Sequence, residues 1–99
     1  MKRTVVRYQA KPEQAEENQR LIGAVFRELE ARAPAGVRYL VLRLADGTFV
    51  HFAAVEPGAA SVTTLDAFRT FQSGVPARSI APPQAAEATI VGNYHMLAE

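Results

Sequence analysis

The chain has 99 residues, no cysteine, two histidines and a formal net charge of +1 from 11 basic and 10 acidic side chains. Disulfides and thiolate metal sites are therefore excluded, and two histidines with scattered carboxylates do not show the ligand spacing of a structural zinc site, so neither a metal nor another cofactor is expected. The charges are interspersed, without a basic block that would neutralise a phosphate backbone, and no apolar run approaches the ~20 residues of a membrane span, so neither nucleic acid nor membrane is expected as a partner.

This length predicts one domain over residues 1–99, small enough that a disulfide, a metal or a second subunit usually adds to its stability. Of the three, the composition leaves open a homodimer. The start Met1-Lys2-Arg3-Thr4-Val5-Val6-Arg7-Tyr8 is basic, but Arg7 interrupts any signal-like apolar stretch. A cytoplasmic protein with its native start is expected.

Thr4 to Gln9 is β-rich and reads as the first strand. Pro12 suits the first turn of a helix, where its missing N–H is not needed, and Glu13, Glu16 and Glu17 crowd the positive end of the helix dipole. Ala15, Leu21, Ile22, Val25 and Leu29, with Phe26 at the edge, recur at helical spacing to about Ala33, and Pro34 and Gly36 end the run. Val37 to Leu44 and Thr48 to Val55 flank Asp46-Gly47, a strong hairpin signal. A two-residue loop pairs Leu44 with Phe49, Leu42 with His51 and Leu40 with Ala53. One face then carries Leu40, Leu42, Leu44, Phe49, His51, Ala53 and Val55; the other carries Tyr39, Val41, Arg43, Val50, Phe52 and Ala54. Both faces are largely apolar. Two helices cover only one, and the other is expected to meet a second copy of the chain.

Glu56-Pro57-Gly58 forms a turn. Ser61 to Ser73 reads as a second helix anchored by Leu65, Phe68 and Phe71, capped by Thr63 or Thr64 and stopped by Gly74. Val75 to Ile80 adds one further turn, Ala81-Pro82-Pro83 breaks the chain, and Ala88 to Met96 reads as the last strand. The order strand–helix–strand–strand–helix–strand predicts an α+β domain of ferredoxin-like order with a four-stranded antiparallel sheet.

Two polar residues interrupt apolar periodicities. His51 lies mid-strand among leucines and a phenylalanine, where it serves either as a general base or donor in a ligand pocket or as a core histidine bonded to a buried partner. Asn18 lies three residues after Ala15 and four before Ile22, on the apolar stripe of the first helix. It either faces the sheet and shares a ligand or His51, or stands in solvent beyond the sheet edge. Tyr39 and Arg43 share the opposite hairpin face and point to a partner subunit if helices cover His51; with the faces exchanged, they become the pocket residues. Tyr94 and His95 read as edge or dimer contacts. Phe26, Phe68 and Phe71 serve as core or as a pocket wall. Arg78 reads as a solvated or helix-capping charge, with an anion at the pocket mouth as the alternative. No Ser/His/Asp or Cys/His set and no glycine-rich phosphate loop is present.

Several stretches carry a resemblance: Lys11-Pro12-Glu13 with Ala15-Glu16-Glu17-Asn18, Pro34-Ala35-Gly36-Val37-Arg38-Tyr39, Arg43 to His51 around Asp46-Gly47, then Phe68, Phe71, Arg78, Pro82-Pro83 and Val91-Gly92-Asn93-Tyr94. With the order of elements, they make the chain resemble, over almost its whole length, the small dimeric α+β barrel proteins similar to antibiotic-biosynthesis monooxygenases. The resemblance implies two sheets stacked face to face with a ligand cavity between each sheet and its own helices. Some such proteins oxidise electron-rich aromatic compounds with O₂ and no metal or flavin. Others degrade haem. Several active members place a tryptophan in the cavity, and this chain has none. Two functions follow as expectations. One is a cofactor-free monooxygenase of an electron-rich aromatic, with His51 taking the ligand's proton, Asn18 orienting the oxyanion, and Phe26, Phe68, Phe71, Tyr39 and Arg43 as ligand-binding residues. The other is a non-catalytic ligand-binding or structural dimer.

Overall fold

In the computed structural model, which describes residues 1–98, the alternating N-terminal run forms β1 (Lys2–Gln9). A 3₁₀ turn at Pro12–Gln14 leads into α1 (Ala15–Arg32), which closes on Ala33 in the left-handed conformation (φ 44°), its N–H donating to the Leu29 carbonyl at 2.7 Å. The hairpin strands β2 (Val37–Arg43) and β3 (Thr48–Val55) follow. After them come a 3₁₀ turn at Val62–Thr64, α2 (Asp66–Ser73), the single turn α3 (Val75–Arg78) and β4 (Gln84–Glu87). The sheet is antiparallel throughout, in the order β2-β3-β1-β4, as the ferredoxin-like reading requires.

The hairpin register differs by one residue from the expected one. Arg43 pairs with Phe49, Val41 with His51 and Tyr39 with Ala53. The loop is Ala45-Asp46-Gly47: the Leu44 N–H donates to the Thr48 carbonyl at 2.8 Å, and Gly47, at φ 87°, donates to the Leu44 carbonyl at 3.1 Å. A turn followed by a left-handed glycine is the common three-residue hairpin closure, and Asp46 Oδ1 accepts the Thr48 N–H at 2.9 Å within it. Because side chains alternate with period two, one extra loop residue turns the whole of β2 over. Tyr39, Val41 and Arg43 therefore share the His51 face, and Leu40 and Leu42 the opposite one.

The helices cover the His51 face. Ile22 and Val25 of α1, Phe71 of α2, and Val62 and Leu65 just before it pack with Tyr8 and Phe49, and Tyr39, Val41 and Phe26 flank them. Among the described residues no helix lies over the other face, and Leu40 and Leu42 remain 46% and 48% exposed. Capping of α2 also differs from expectation. Ser61 accepts the Thr63 N–H at 3.3 Å and so caps the preceding turn, while the first-turn N–H of Ala67 is taken by Glu28 Oε1 of α1 at 2.8 Å.

The last strand is likewise corrected. It is Gln84–Glu87, not Ala88 to Met96. β4 pairs with β1 from Arg7↔Gln84 to Thr4↔Glu87, and the Ala88 N–H makes a final bond to the Arg3 carbonyl at 2.8 Å. The β-branched run Thr89-Ile90-Val91 continues outside the sheet, although β1 extends one residue further, to Lys2. Asn93 then competes for the backbone: its Oδ1 accepts the N–H groups of Met96 and Leu97 at 3.1 and 3.0 Å. Tyr94 and His95 are exposed, with ring centroids 4.5 Å apart.

Candidate functional site

Between the sheet and its helices lies a cavity of about 680 Å³, within the range of small-molecule sites. Its sheet wall comes from β1 (Val6, Tyr8), β2 (Tyr39) and β3 (His51), and its helix wall from Phe68 and Phe71 of α2. The wall is apolar apart from a few groups, chief among them two tyrosine hydroxyls and an imidazole that touch one another. The Tyr8 hydroxyl oxygen lies 2.8 Å from His51 Nε2, and the Tyr39 hydroxyl oxygen 2.5 Å from His51 Nδ1. Register makes this possible: Tyr8 and His51 lie on one sheet face by the β1–β3 pairing, and the three-residue loop brings Tyr39 onto it from β2.

The chain of contacts continues behind the wall. Asn18, fully buried on α1, donates from Nδ2 to the Tyr8 hydroxyl at 2.9 Å and accepts at Oδ1 from Arg78 Nε at 3.0 Å. Arg78 also donates from Nη2 to the Phe71 carbonyl at 2.7 Å, and its guanidinium carbon lies 5.4 Å from the Phe71 ring centroid. Phe71 in turn stacks on His51, with centroids 5.4 Å apart and planes 27° apart. Arg78 is 7% exposed and has no carboxylate within ion-pair distance among the described residues.

Electrostatics follow from burial. His51, 5% exposed, is pushed down to about 4, because the imidazolium would lose its hydration without gaining an anion. The imidazole is neutral at pH 7. Burial raises Tyr8 to about 12, against the opposing pull of the Asn18 bond and the Arg78 charge. Burial raises Tyr39 too, with the neighbouring Tyr8 adding to it.

Of the residues singled out in the sequence, His51, Tyr39, Phe68 and Phe71 line the cavity. Asn18 does not; it reaches His51 only through the Tyr8 hydroxyl. Phe26 stands behind Tyr39, stacked at 5.1 Å. Arg43 lies at the surface, where Nη1 donates to Glu16 Oε1 at 2.8 Å and Gln19 Oε1 at 2.7 Å. The expectation that Tyr39 and Arg43 face away from the His51 side is thus corrected, and so is the solvated Arg78. Tyr8 is not among the residues singled out in the sequence, and Arg78 is singled out there only as a surface charge or anion site. Tyr8 was legible in principle, since Thr4, Val6 and Tyr8 alternate on one face of β1. A lone arginine between prolines carries no periodic signal of burial. Among the described residues no group of three or more His, Asp or Glu side chains could hold a metal ion.

No protein-family model matches the chain, and no curated protein is similar to it in sequence. Solved structures are similar in fold. A provisionally named antibiotic biosynthesis monooxygenase from Nitrosomonas europaea superposes with a TM-score of 0.74 at 16% identity, over 93% of this chain and 100% of that one. Another provisionally so named, from Caulobacter crescentus CB15, gives 0.71 at 15% identity over 92% and 90%. A conserved protein from Methanosarcina mazei Go1 gives 0.70 at 16% identity over 88% and 89%. At such identities the likeness shows a shared fold.

Proposed function

We propose that the protein binds a flat, oxygen-bearing aromatic molecule in its cavity and, as a cofactor-independent monooxygenase, promotes its reaction with O₂. The observation that carries this reading is an apolar cavity with a hydroxyl–imidazole–hydroxyl chain on one wall. Phe68 and Phe71 offer ring faces for stacking. Tyr39, backed by His51, offers a hydrogen bond to the ligand's oxygen. A phenolate held this way, its proton given up to solvent water, can pass an electron to O₂ directly. For a phenol with an unsubstituted para carbon the stoichiometry closes without an external reductant: one oxygen atom enters the ring, giving a quinone, the other leaves as water, and the substrate supplies all four electrons. The fold shared with proteins named antibiotic biosynthesis monooxygenases supports this chemistry.

His51 works here as part of the hydrogen-bonding wall and not as a free base. Both its nitrogens are engaged by tyrosines. With its pKa at about 4, taking a proton from a phenol of pKa near 10 would be uphill by roughly 8 kcal/mol. A 1-naphthol added to the protein in an oxygen electrode tests the reading. One O₂ should be consumed per quinone formed, and Tyr39→Phe or His51→Gln should lower kcat at least tenfold with the fold intact by circular dichroism. The occupied imidazole favours the second reading, a binding protein without turnover, which saturable naphthol binding with no oxygen uptake would establish. Absence of both binding and uptake would end both readings.

A homodimer belongs to the same proposal. Among the described residues no helix lies over the sheet face that presents Leu40, Leu42, Val5, Val50 and Phe52, and a second copy stacked on it would remove these side chains from water.

A further inference from the structure

The five polar groups in and behind the cavity wall form one chain of hydrogen bonds, and that chain has a direction. Arg78 can only donate. Its Nε–H meets Asn18 at 3.0 Å, so the amide oxygen must face it and the amide nitrogen faces the Tyr8 hydroxyl, 2.9 Å away. The Tyr8 oxygen is thereby an acceptor, and its own proton is free for His51 Nε2 at 2.8 Å. A neutral imidazole that accepts at Nε2 carries its proton on Nδ1, and that proton points at the Tyr39 oxygen, 2.5 Å away. The Tyr39 proton is left over, and Tyr39 lines the cavity.

We propose that Arg78 is a positioning residue that sets the direction of this chain from outside the cavity, so that Tyr39 presents a donor, not an acceptor, to the ligand's oxygen. With the Asn18 amide turned round, every bond would reverse. Tyr8 would donate to Oδ1, Nε2–H to Tyr8, and Tyr39 to Nδ1, leaving only lone pairs at the cavity. A donor suits a phenolate or carbonyl oxygen; lone pairs suit a neutral hydroxyl. The Arg78 charge acts in the same sense, because it favours Tyr8 over Tyr39 as the stronger donor to the imidazole. Exposed Glu17, bonded to Arg20, is the carboxylate that draws on Arg78 from further away.

The fold holds Arg78 for this task. The guanidinium is fixed at two points, the Asn18 amide and the Phe71 carbonyl, and lies against the Phe71 ring that stacks on His51. Gly74 supplies the space: a Cβ built there would come within 2.1 Å of Arg78 Nη1. The backbone at Gly74 is ordinary, with φ −98°, so it is room and not conformation that this glycine provides.

The proposal rests on the reading above only for what occupies the cavity; its test needs no ligand. In uniformly ¹⁵N-labelled protein at pH 7, the imidazole nitrogen shifts report the tautomer, and His95→Asn assigns the two histidines. His51 should carry its proton on Nδ1. Asn18→Asp, whose carboxylate accepts from both Arg78 and Tyr8, should move that proton to Nε2. Arg78→Met should abolish the preference, and Arg78→Lys, which keeps a donor, should retain it. A wild-type proton on Nε2, or a tautomer unmoved by Asn18→Asp, would overturn the assignment, as would an unaltered preference in folded Arg78→Met. If Arg78→Met does not fold, Asn18→Asp, which keeps Arg78 paired, decides alone. Failure to bind or oxidise a naphthol would sink the functional reading without touching this result.

Discussion

His51 shows how one buried side chain ties stability to pH. Unfolded, its pKa is near 6.5; folded, it is near 4. As pH falls through that window the unfolded chain binds the proton first, so stability declines from about pH 6.5 and the decline is complete below about pH 4. The expected loss is about 3 kcal/mol. Urea melts at a series of pH values should show it in the wild type, and the difference should be largely absent in His51→Gln. Asn18 is the second residue whose loss is specific. Asn18→Ala removes one partner from the Tyr8 hydroxyl, which keeps His51, and leaves the buried Arg78 Nε–H without an acceptor while Nη2 keeps the Phe71 carbonyl, at about 1–3 kcal/mol for the orphaned donor. Urea melts at pH 7 check this, and a loss below 0.5 kcal/mol, roughly the surface-substitution range, would contradict the burial argument. His51 and Asn18 are legible in the sequence because each breaks an apolar period. Tyr8 and Arg78 break no such period: alternation puts Tyr8 on one face of β1, where a tyrosine suits a strand anyway, and burial of a lone arginine depends on α3 folding back beside α1.

At the scale of the element, the hairpin loop governs the site. The Asp46-Gly47 signal locates the turn, but two-residue and three-residue loops share it, and the loop length decides which face of β2 meets the helices. Gly47 sits at φ 87°. Gly47→Ala should cost about 1–2 kcal/mol, read from the thermal midpoint, because an L side chain is strained there. Deleting Ala45 should leave the site in place: Asp46-Gly47 then forms a two-residue loop that closes the same Leu44–Thr48 pair, so Tyr39 stays on the His51 face, and cooperative unfolding should persist. α2, which supplies Phe68 and Phe71, takes its N-terminal support from another helix: Glu28→Ala removes the acceptor for Ala67 N–H and should cost about 1 kcal/mol.

For the whole molecule, the open sheet face is the dominant feature. Leu40 and Leu42 stand exposed on it beside the half-buried Val5, Val50 and Phe52. Light scattering after gel filtration at micromolar concentration should give about twice the 10.8 kDa chain mass. Leu42→Arg should shift the population toward monomer while leaving the helix-side cavity intact, because Leu42 faces away from it. A wild-type monomer throughout that range would mean the face is stable uncovered.

The sequence by itself determined the order of elements, the end of α1 to within a residue, the site of the hairpin and the apolar character of both sheet faces. These rest on local chemistry: helical spacing, Pro12 at a helix start, Gly74 at a helix end, Asp-Gly at a turn. It also marked the two polar intruders, His51 and Asn18. The tertiary structure alone decided what they do. Loop length, which local sequence leaves ambiguous, put Tyr39 rather than Leu40 or Leu42 beside His51. β4 ended at Glu87 despite the strand propensity of Thr89-Ile90-Val91, a limit that no local signal marks. Packing of α3 against α1 brought Arg78 to Asn18 across 60 residues of sequence, and a hydrogen-bonded chain of that span has no periodicity by which a sequence could announce it.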